Sequence, residues 1–265
     1  MISIVAESLW PARHSAPLLK CRLAALLRDF GLALHPGIML GMSNQAYLSI
    51  WCKDFPEELI LERFEKFLSP VPFSAKNPGF THLEIRAVDW TESPVYEQDL
   101  RSVPLDAASI VELCQAYVHN DCCISVRSHW DLWVYDGDPA RWQPEAQPVE
   151  LLCYGEDFDE GVWRQDGHLE VNFGFEHLFT GHAGLLGIRQ IARPKAESPE
   201  EERFLEAMAR PENLHNYYEK TRDNIKKLFD WVRRIEKELP VAKLRLWSEG
   251  EENFEARLEE ILAVR

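Results

Sequence analysis

The sequence predicts an α+β fold with a ferredoxin-like antiparallel sheet, on the basis of three features. Between residues 46 and 128 the predicted elements follow the order β-α-β-β-α-β, which is the split βαβ arrangement. Further strand-like segments continue to residue 175, and the chain after them has a mainly helical pattern. We therefore expect an α+β domain over residues 1–193 and a helical C-terminal subdomain over residues 194–265.

A helix is predicted ahead of this core. Ser15 provides a hydroxyl N-cap, and Pro17 stands in the first turn, where its missing N–H costs nothing. Leucines then recur at helical spacing, and Gly31 is placed to end the helix.

The core itself begins with a strand over residues 46–52, in which apolar and polar residues alternate. Asp54 and Glu57 form a capping-box pattern for the helix that follows. Pro70 ends that helix because it cannot donate the next backbone hydrogen bond.

The remaining core elements are two strands, a helix and a final strand. The strand over residues 80–88 has one apolar and one polar face, and the polar face consists of His82, Glu84 and Arg86. A strand over residues 95–101 follows, and Asp106 then caps a helix. A strand over residues 122–127 completes the predicted order.

Additional strands are predicted over residues 130–135, 149–154 and 168–175, with turn residues between them. The C-terminal portion contains a long helix over residues 214–239, whose Leu, Tyr, Thr, Ile and Val residues recur at spacings that alternate four and three. Such an a/d pattern is typical of a coiled-coil seam, so a homodimer through this helix is one interpretation. The other, commoner for a single helix, is that its apolar stripe packs on its own domain.

The charge of the chain restricts the classes of partner. The formal net charge is −15, from 44 acidic residues against 29 lysines and arginines. Phosphates would be repelled, which argues against nucleic-acid binding and against docking on anionic membranes. A basic protein is the partner that this charge permits.

The six cysteines include no C-x-x-C pair, which argues against a zinc knuckle or a thioredoxin-type redox site. Most of them lie in apolar runs, as reduced thiols packed in a core do. The first residues resemble no signal peptide, and no run approaches the roughly 20 apolar residues of a membrane span. A cytoplasmic location is therefore expected.

The stretch HLEVNFGFEHLFTGH is the first candidate site. On a strand, His168, Glu170 and Asn172 share one face, and His177 and His182 follow the strand's end. Imidazoles and carboxylates brought together can act as acid and base or bind a divalent metal. The alternative, which periodicity alone predicts, is that these residues form the solvent-exposed face of an antiparallel strand.

The second candidate site is acidic. Between residues 145 and 176 the chain has nine acidic residues and a single arginine, Arg164. Four of the acids lie close together: Glu156, Asp157, Asp159 and Glu160. They lack the spacing of a calcium loop, so they indicate a solvated loop or a docking surface for a basic protein.

Two functions follow from these sites. The first is a non-catalytic binding protein, of an inhibitor or immunity type, that holds a basic partner on the acidic loop. The alternative is a hydrolase, with or without a metal, built on His168, Glu170, His177 and His182. No nucleophile motif and no cofactor signature decides between them.

Overall fold

A computed structural model of the protein describes residues 44–135, 137, 142–182, 184–186, 196 and 198–264. The helix predicted from Ser15 to Gly31 lies outside these residues, and so does the predicted domain boundary at 193/194. The division into two domains therefore stays a prediction.

One antiparallel sheet organises the described residues. Its seven strands are β1 (Gln45–Cys52), β2 (Phe80–Ala87), β3 (Tyr96–Asp99), β4 (Cys122–Val134), β5 (Gln143–Tyr154), β6 (Leu169–Phe175) and β7 (Val241–Ser248). Their order across the sheet is β3-β2-β4-β5-β6-β1-β7, and every neighbouring pair is antiparallel.

Helices connect and flank these strands. The described α-helices are α1 (Glu57–Leu68), α2 (Ala107–Cys114), α3 (Trp163–Asp166), α4 (His177–Thr180), α5 (Pro199–Met208), α6 (Pro211–Glu238) and α7 (Phe254–Ala263). A short 3-10 turn covers Phe158–Glu160. None of these helices is long and apolar enough to cross a membrane.

The predicted helix caps are confirmed at one helix and wrong at another. The Asp106 side chain accepts a hydrogen bond from the Ser109 N–H, so it caps α2 as expected. At α1 the expected Asp54 capping box does not form. Pro56 occupies the N-cap position and makes no side-chain hydrogen bond there.

The mixed α+β class with an antiparallel sheet is confirmed, whereas the ferredoxin-like core is not. The expected first strand of that core, β1, pairs with β6 and β7, far from β2 and β4. The reason is the long β4–β5 hairpin, whose register runs from Cys123↔Tyr154 to Val134↔Gln143. The strands predicted separately at 122–127 and 130–135 form one strand, β4. Strand β5 pairs with β4, and β6 pairs with β5, so both lie between β4 and β1.

One face of the sheet is apolar and forms the core. It includes Leu48 and Ile50 of β1 and Leu169, Val171 and Phe173 of β6, all of them without solvent exposure. Helix α6 packs on this face, where the Trp231 ring lies 5.2 Å from Trp130 and 5.3 Å from Phe173. Large aromatic rings therefore fill the centre of the core.

The apolar stripe of helix α6 packs against the rest of the same chain. Its buried residues are Tyr217, Thr221, Asn224, Ile225, Leu228, Trp231, Val232 and Ile235. This set includes the predicted positions 221, 225, 228, 232 and 235, so packing within the domain accounts for them. The homodimer through residues 214–239 stays a prediction.

Candidate functional site

The second face of the sheet carries mainly polar side chains in register across the strands, with a small apolar cluster around Leu152. One row consists of Arg245, Ser49, Glu170, Leu152, Ser125, Glu84 and Glu97, each paired with the next across neighbouring strands. We call this side of the sheet the polar face. Because side chains alternate along a strand, the neighbours two residues away in each strand lie on the same face.

His168 lies at the edge of the polar face, between two aromatic rings. Its imidazole stacks on Phe55 at 4.5 Å and on Trp163 at 4.4 Å, measured between ring centroids. The side chain is only 4% exposed, and this burial lowers its pKa to about 4. At neutral pH the imidazole is therefore uncharged.

The hydrogen bond of His168 determines which nitrogen carries its proton. The Cys52 N–H donates to Nδ1 at 3.1 Å, so Nδ1 is an acceptor and the proton of the neutral ring lies on Nε2. Nε2 is 3.6 Å from Oε1 of Glu156. The imidazole thus lies between the backbone of β1 and the acidic loop.

Glu170 and Asn172 are also buried, with 1% and 8% exposure. The Tyr154 hydroxyl donates to Oε1 of Glu170 at 3.3 Å. Arg245 is close enough that Glu170 and Asp166 raise its pKa, although burial, the larger effect, lowers it. The interpretation of this strand face as solvent-exposed is therefore wrong, because neighbouring side chains cover it.

His177 and His182 form a separate pair around α4. Their rings stack at 4.2 Å, next to Phe175 and Phe204. Burial lowers the pKa of His177 to about 3, with a smaller effect from His182, and burial also lowers the pKa of His182. Both imidazoles are consequently neutral at physiological pH.

The four residues predicted as one catalytic set lie in two groups. His168 and Glu170 are at the beginning of β6, whereas His177 and His182 follow its end. A strand rises about 3.3 Å per residue, so the length of β6 separates the two groups by roughly 20 Å. The sheet brings His168 to Glu156 rather than to the other histidines.

The acidic loop around the 3-10 turn is attached to the protein by its backbone. Asp157 N–H donates to the Asn120 carbonyl and Asp159 N–H to the Val88 carbonyl, both at 2.8 Å. Phe158 is fully buried, and its ring packs edge-on against Trp90 at 5.2 Å. The loop is therefore held in a fixed position, and Asp157 and Glu160 on it are exposed to solvent.

The backbone of this loop is also strained. Asp159, Glu160 and Gly161 all have positive φ, at 47°, 55° and 81°. Val88, whose carbonyl bonds to the loop, has φ 71°, which is rare for a β-branched residue. Each non-glycine residue in such a conformation costs about 1–3 kcal/mol, and such positions cluster at functional sites.

Charge is concentrated at the surface of the loop. Asp157 and Glu160 are exposed, and Glu156 and Asp159 are partly exposed. Arg164 donates to the backbone carbonyl of Glu160 at 3.1 Å. All four predicted residues are thus brought together on one loop.

Three of the buried thiols in the described residues, those of Cys52, Cys114 and Cys153, are not suited to act as nucleophiles. Burial raises the pKa of Cys52 to about 11 and that of Cys114 to about 12. The pKa of Cys153 is also raised by burial. Thiols with such values stay protonated at neutral pH, so these three are packing residues.

Sequence reasoning missed the cross-strand groupings of the polar face. The Tyr47 ring stacks on Trp247 at 4.5 Å, and His82 lies between Glu84 and Glu97. The alternation in residues 80–88 predicted the shared face of His82 and Glu84 correctly. The pairing of β2 with β3, which brings Glu97 to them, has no signal in the sequence.

Comparison with known proteins gives no relative: no family model, no curated protein and no solved structure matches this chain. The fold and the polar face define it as an α+β protein with a seven-stranded antiparallel sheet.

Proposed function

We propose that the protein is a non-catalytic binding protein of the inhibitor or immunity type, which holds a basic partner protein on its acidic loop. The observation that carries this proposal is the fixed, strained backbone beneath Glu156, Asp157, Asp159 and Glu160. A loop that is held in place presents its charges without losing conformational entropy on binding.

The chemistry of the partner follows from the charge. With a formal net charge of −15, the molecule attracts basic proteins and repels acidic ones. Complementary charges across an interface give specificity, because a wrong partner meets like charge. The proposal includes a cytoplasmic location, which the buried, protonated thiols of Cys52, Cys114 and Cys153 support.

A charge-reversal experiment tests the proposal. Asp157→Lys together with Glu160→Lys changes the loop by four charges at exposed positions. Immobilised wild-type protein should retain a basic protein from a lysate of its source cells, and after its identification the purified partner should bind directly. The double variant should bind at least tenfold more weakly, because like charges now face each other.

The matched control is Glu236→Lys with Glu238→Lys, which makes the same change in net charge at exposed positions near the end of α6. This variant should bind like wild type. Equal loss of binding in both variants would show that net charge alone attracts the partner. Unchanged binding in the loop variant would contradict the proposal.

A further inference from the structure

His82, Glu84 and Glu97 bring three metal-binding side chains together where β2 pairs with β3. His82 and Glu84 stand two residues apart on the polar face of β2, and Glu97 is directly opposite Glu84 on β3. One ligand atom from each residue can be chosen so that all lie within 4.8 Å of one another. The group lies at the β3 edge of the sheet, away from the acidic loop.

The separations between His82 and the two carboxylates are close to those around a tetrahedral ion. Nε2 of His82 is 3.5 Å from Oε1 of Glu97 and 3.9 Å from Oε2 of Glu84. Zinc bonds of about 2.0–2.2 Å at tetrahedral angles place neighbouring ligand atoms roughly 3.3–3.6 Å apart. The distance to Glu97 is already within this range, and the distance to Glu84 exceeds it by a few tenths of an ångström.

Two features of the group suit a bound cation. Nε2 of His82 is buried without a well-formed hydrogen bond, and its polar neighbours are carboxylate oxygens of Glu97 and Glu84 at 3.5 and 3.9 Å. Like charges directly opposite each other on neighbouring strands, as at Glu84 and Glu97, destabilise a sheet. A divalent ion would bond Nε2 and both carboxylates at once, and it would supply positive charge beyond that of Arg86, which contacts Glu84 alone of the two.

Of the nearby arginines, Arg86 contacts the group, whereas Arg101 and Arg127 pair with carboxylates outside it. Arg101 donates to both carboxylate oxygens of Asp99, and Arg127 is 3.3 Å from Glu150. Arg86 donates through Nε to Oε1 of Glu84, which leaves Oε2 on the side of His82. Arg86 thus orients a ligand, as residues that support metal ligands do.

We propose that Nε2 of His82, Oε2 of Glu84 and Oε1 of Glu97 bind a zinc ion. One imidazole and two carboxylates suit zinc better than magnesium, which requires six oxygen ligands. The Glu97 side chain is 57% exposed, so the fourth position is open to water or to a ligand from solvent. This site is independent of the proposed function of the acidic loop.

Calorimetric titration of the full chain with zinc chloride tests the site. The protein is first treated with EDTA and dialysed at neutral pH. Wild type should bind zinc, and both His82→Ala and Glu97→Gln should bind at least tenfold more weakly because each removes a ligand. Cobalt(II) should give a tetrahedral absorption band in wild type that both variants lack.

His119→Ala is the matched control, because His119 is an exposed histidine 3.7 Å from a single carboxylate, that of Glu57. This variant should bind zinc like wild type. Glu97 lies on an exposed edge strand, so Glu97→Gln keeps the test valid even where His82→Ala fails to fold. The absence of zinc binding in wild type, or equal binding in Glu97→Gln, would overturn the site.

Discussion

At the scale of single residues, His168 shows how burial can change the role of a side chain that the sequence singles out. Alternation predicted correctly that it shares a face with Glu170 and Asn172. It could not predict that Phe55 and Trp163 enclose the imidazole, because both come from other segments of the chain. The enclosed ring is neutral and accepts a backbone hydrogen bond, so its first role is structural.

The lowered pKa of His168 makes stability depend on pH. The unfolded imidazole takes up a proton below about pH 6.5, whereas the folded one resists until about pH 4. The unfolded state therefore gains protons first, and stability falls as the pH falls through this window. From pH 7 to pH 5 the expected loss from His168 is about 2 kcal/mol.

His168→Gln should remove this contribution while its amide oxygen can still accept the Cys52 N–H. Urea unfolding at pH 7 and pH 5 would measure it, as a smaller loss of unfolding free energy in the variant than in wild type. His177 and His182 contribute equally to both proteins, so only the difference is assigned to His168. An identical loss in both proteins would contradict the shifted pKa.

At the scale of elements, α6 shows what periodicity can and cannot predict. The predicted stripe included most of the buried apolar residues, because their spacing follows the helix. It missed Tyr217, Asn224 and Trp231, which lie seven residues apart on the same side of the helix. Asn224 is a polar residue that is 1% exposed, and only its tertiary contacts explain its burial.

Asn224 makes hydrogen bonds to the backbone of β4 in the part of that strand that does not pair with β2. The register of β2 with β4 ends at Ser128, so Trp133 has no strand neighbour on that side. Oδ1 of Asn224 accepts the Trp133 N–H at 2.8 Å, and Nδ2 donates to the carbonyls of Trp133 and Leu178 at 2.9 and 3.0 Å. The side-chain amide thus makes the backbone hydrogen bonds that a neighbouring strand would otherwise make with Trp133.

Asn224→Ala should therefore lower the free energy of unfolding by at least about 2 kcal/mol, because it leaves buried backbone groups without hydrogen bonds. Lys226→Ala on the same helix is the control. Its side chain is exposed and, among the residues that the structure describes, forms an ion pair with Asp223 at 3.4 Å, so its effect should stay within about 0.5 kcal/mol. Urea unfolding followed by circular dichroism distinguishes them, and similar values for both variants would refute this role.

At the scale of the whole molecule, the order of the strands in the sheet could not be predicted from the sequence. Local patterns located most strands, since alternation is a property of neighbouring residues. The pairing of β1 with β7 joins residues about 200 positions apart, and nothing in either strand specifies its partner. A ferredoxin-like core was predicted because consecutive elements were assumed to pair.

Strand β7 and helix α7 should consequently be required for folding. Deleting residues 241–265 would expose the backbone edge of β1 and remove Leu246, Phe254, Leu258 and Ile261 from the core. The expected product is insoluble or lacks a cooperative unfolding transition. A chain that ends at Ala263 should behave like wild type, and a soluble, cooperatively unfolding product of the longer deletion would contradict the prediction.

The anchored loop at Asp159 and Val88 has a kinetic consequence for a molecule of such high charge. A partner drawn in by the long-range field would meet carboxylates that need no rearrangement. A large fraction of collisions with the partner would then lead to a bound complex. The association rate constant would rise steeply as ionic strength falls. The lifetime of the complex would instead depend on the short-range contacts made after arrival.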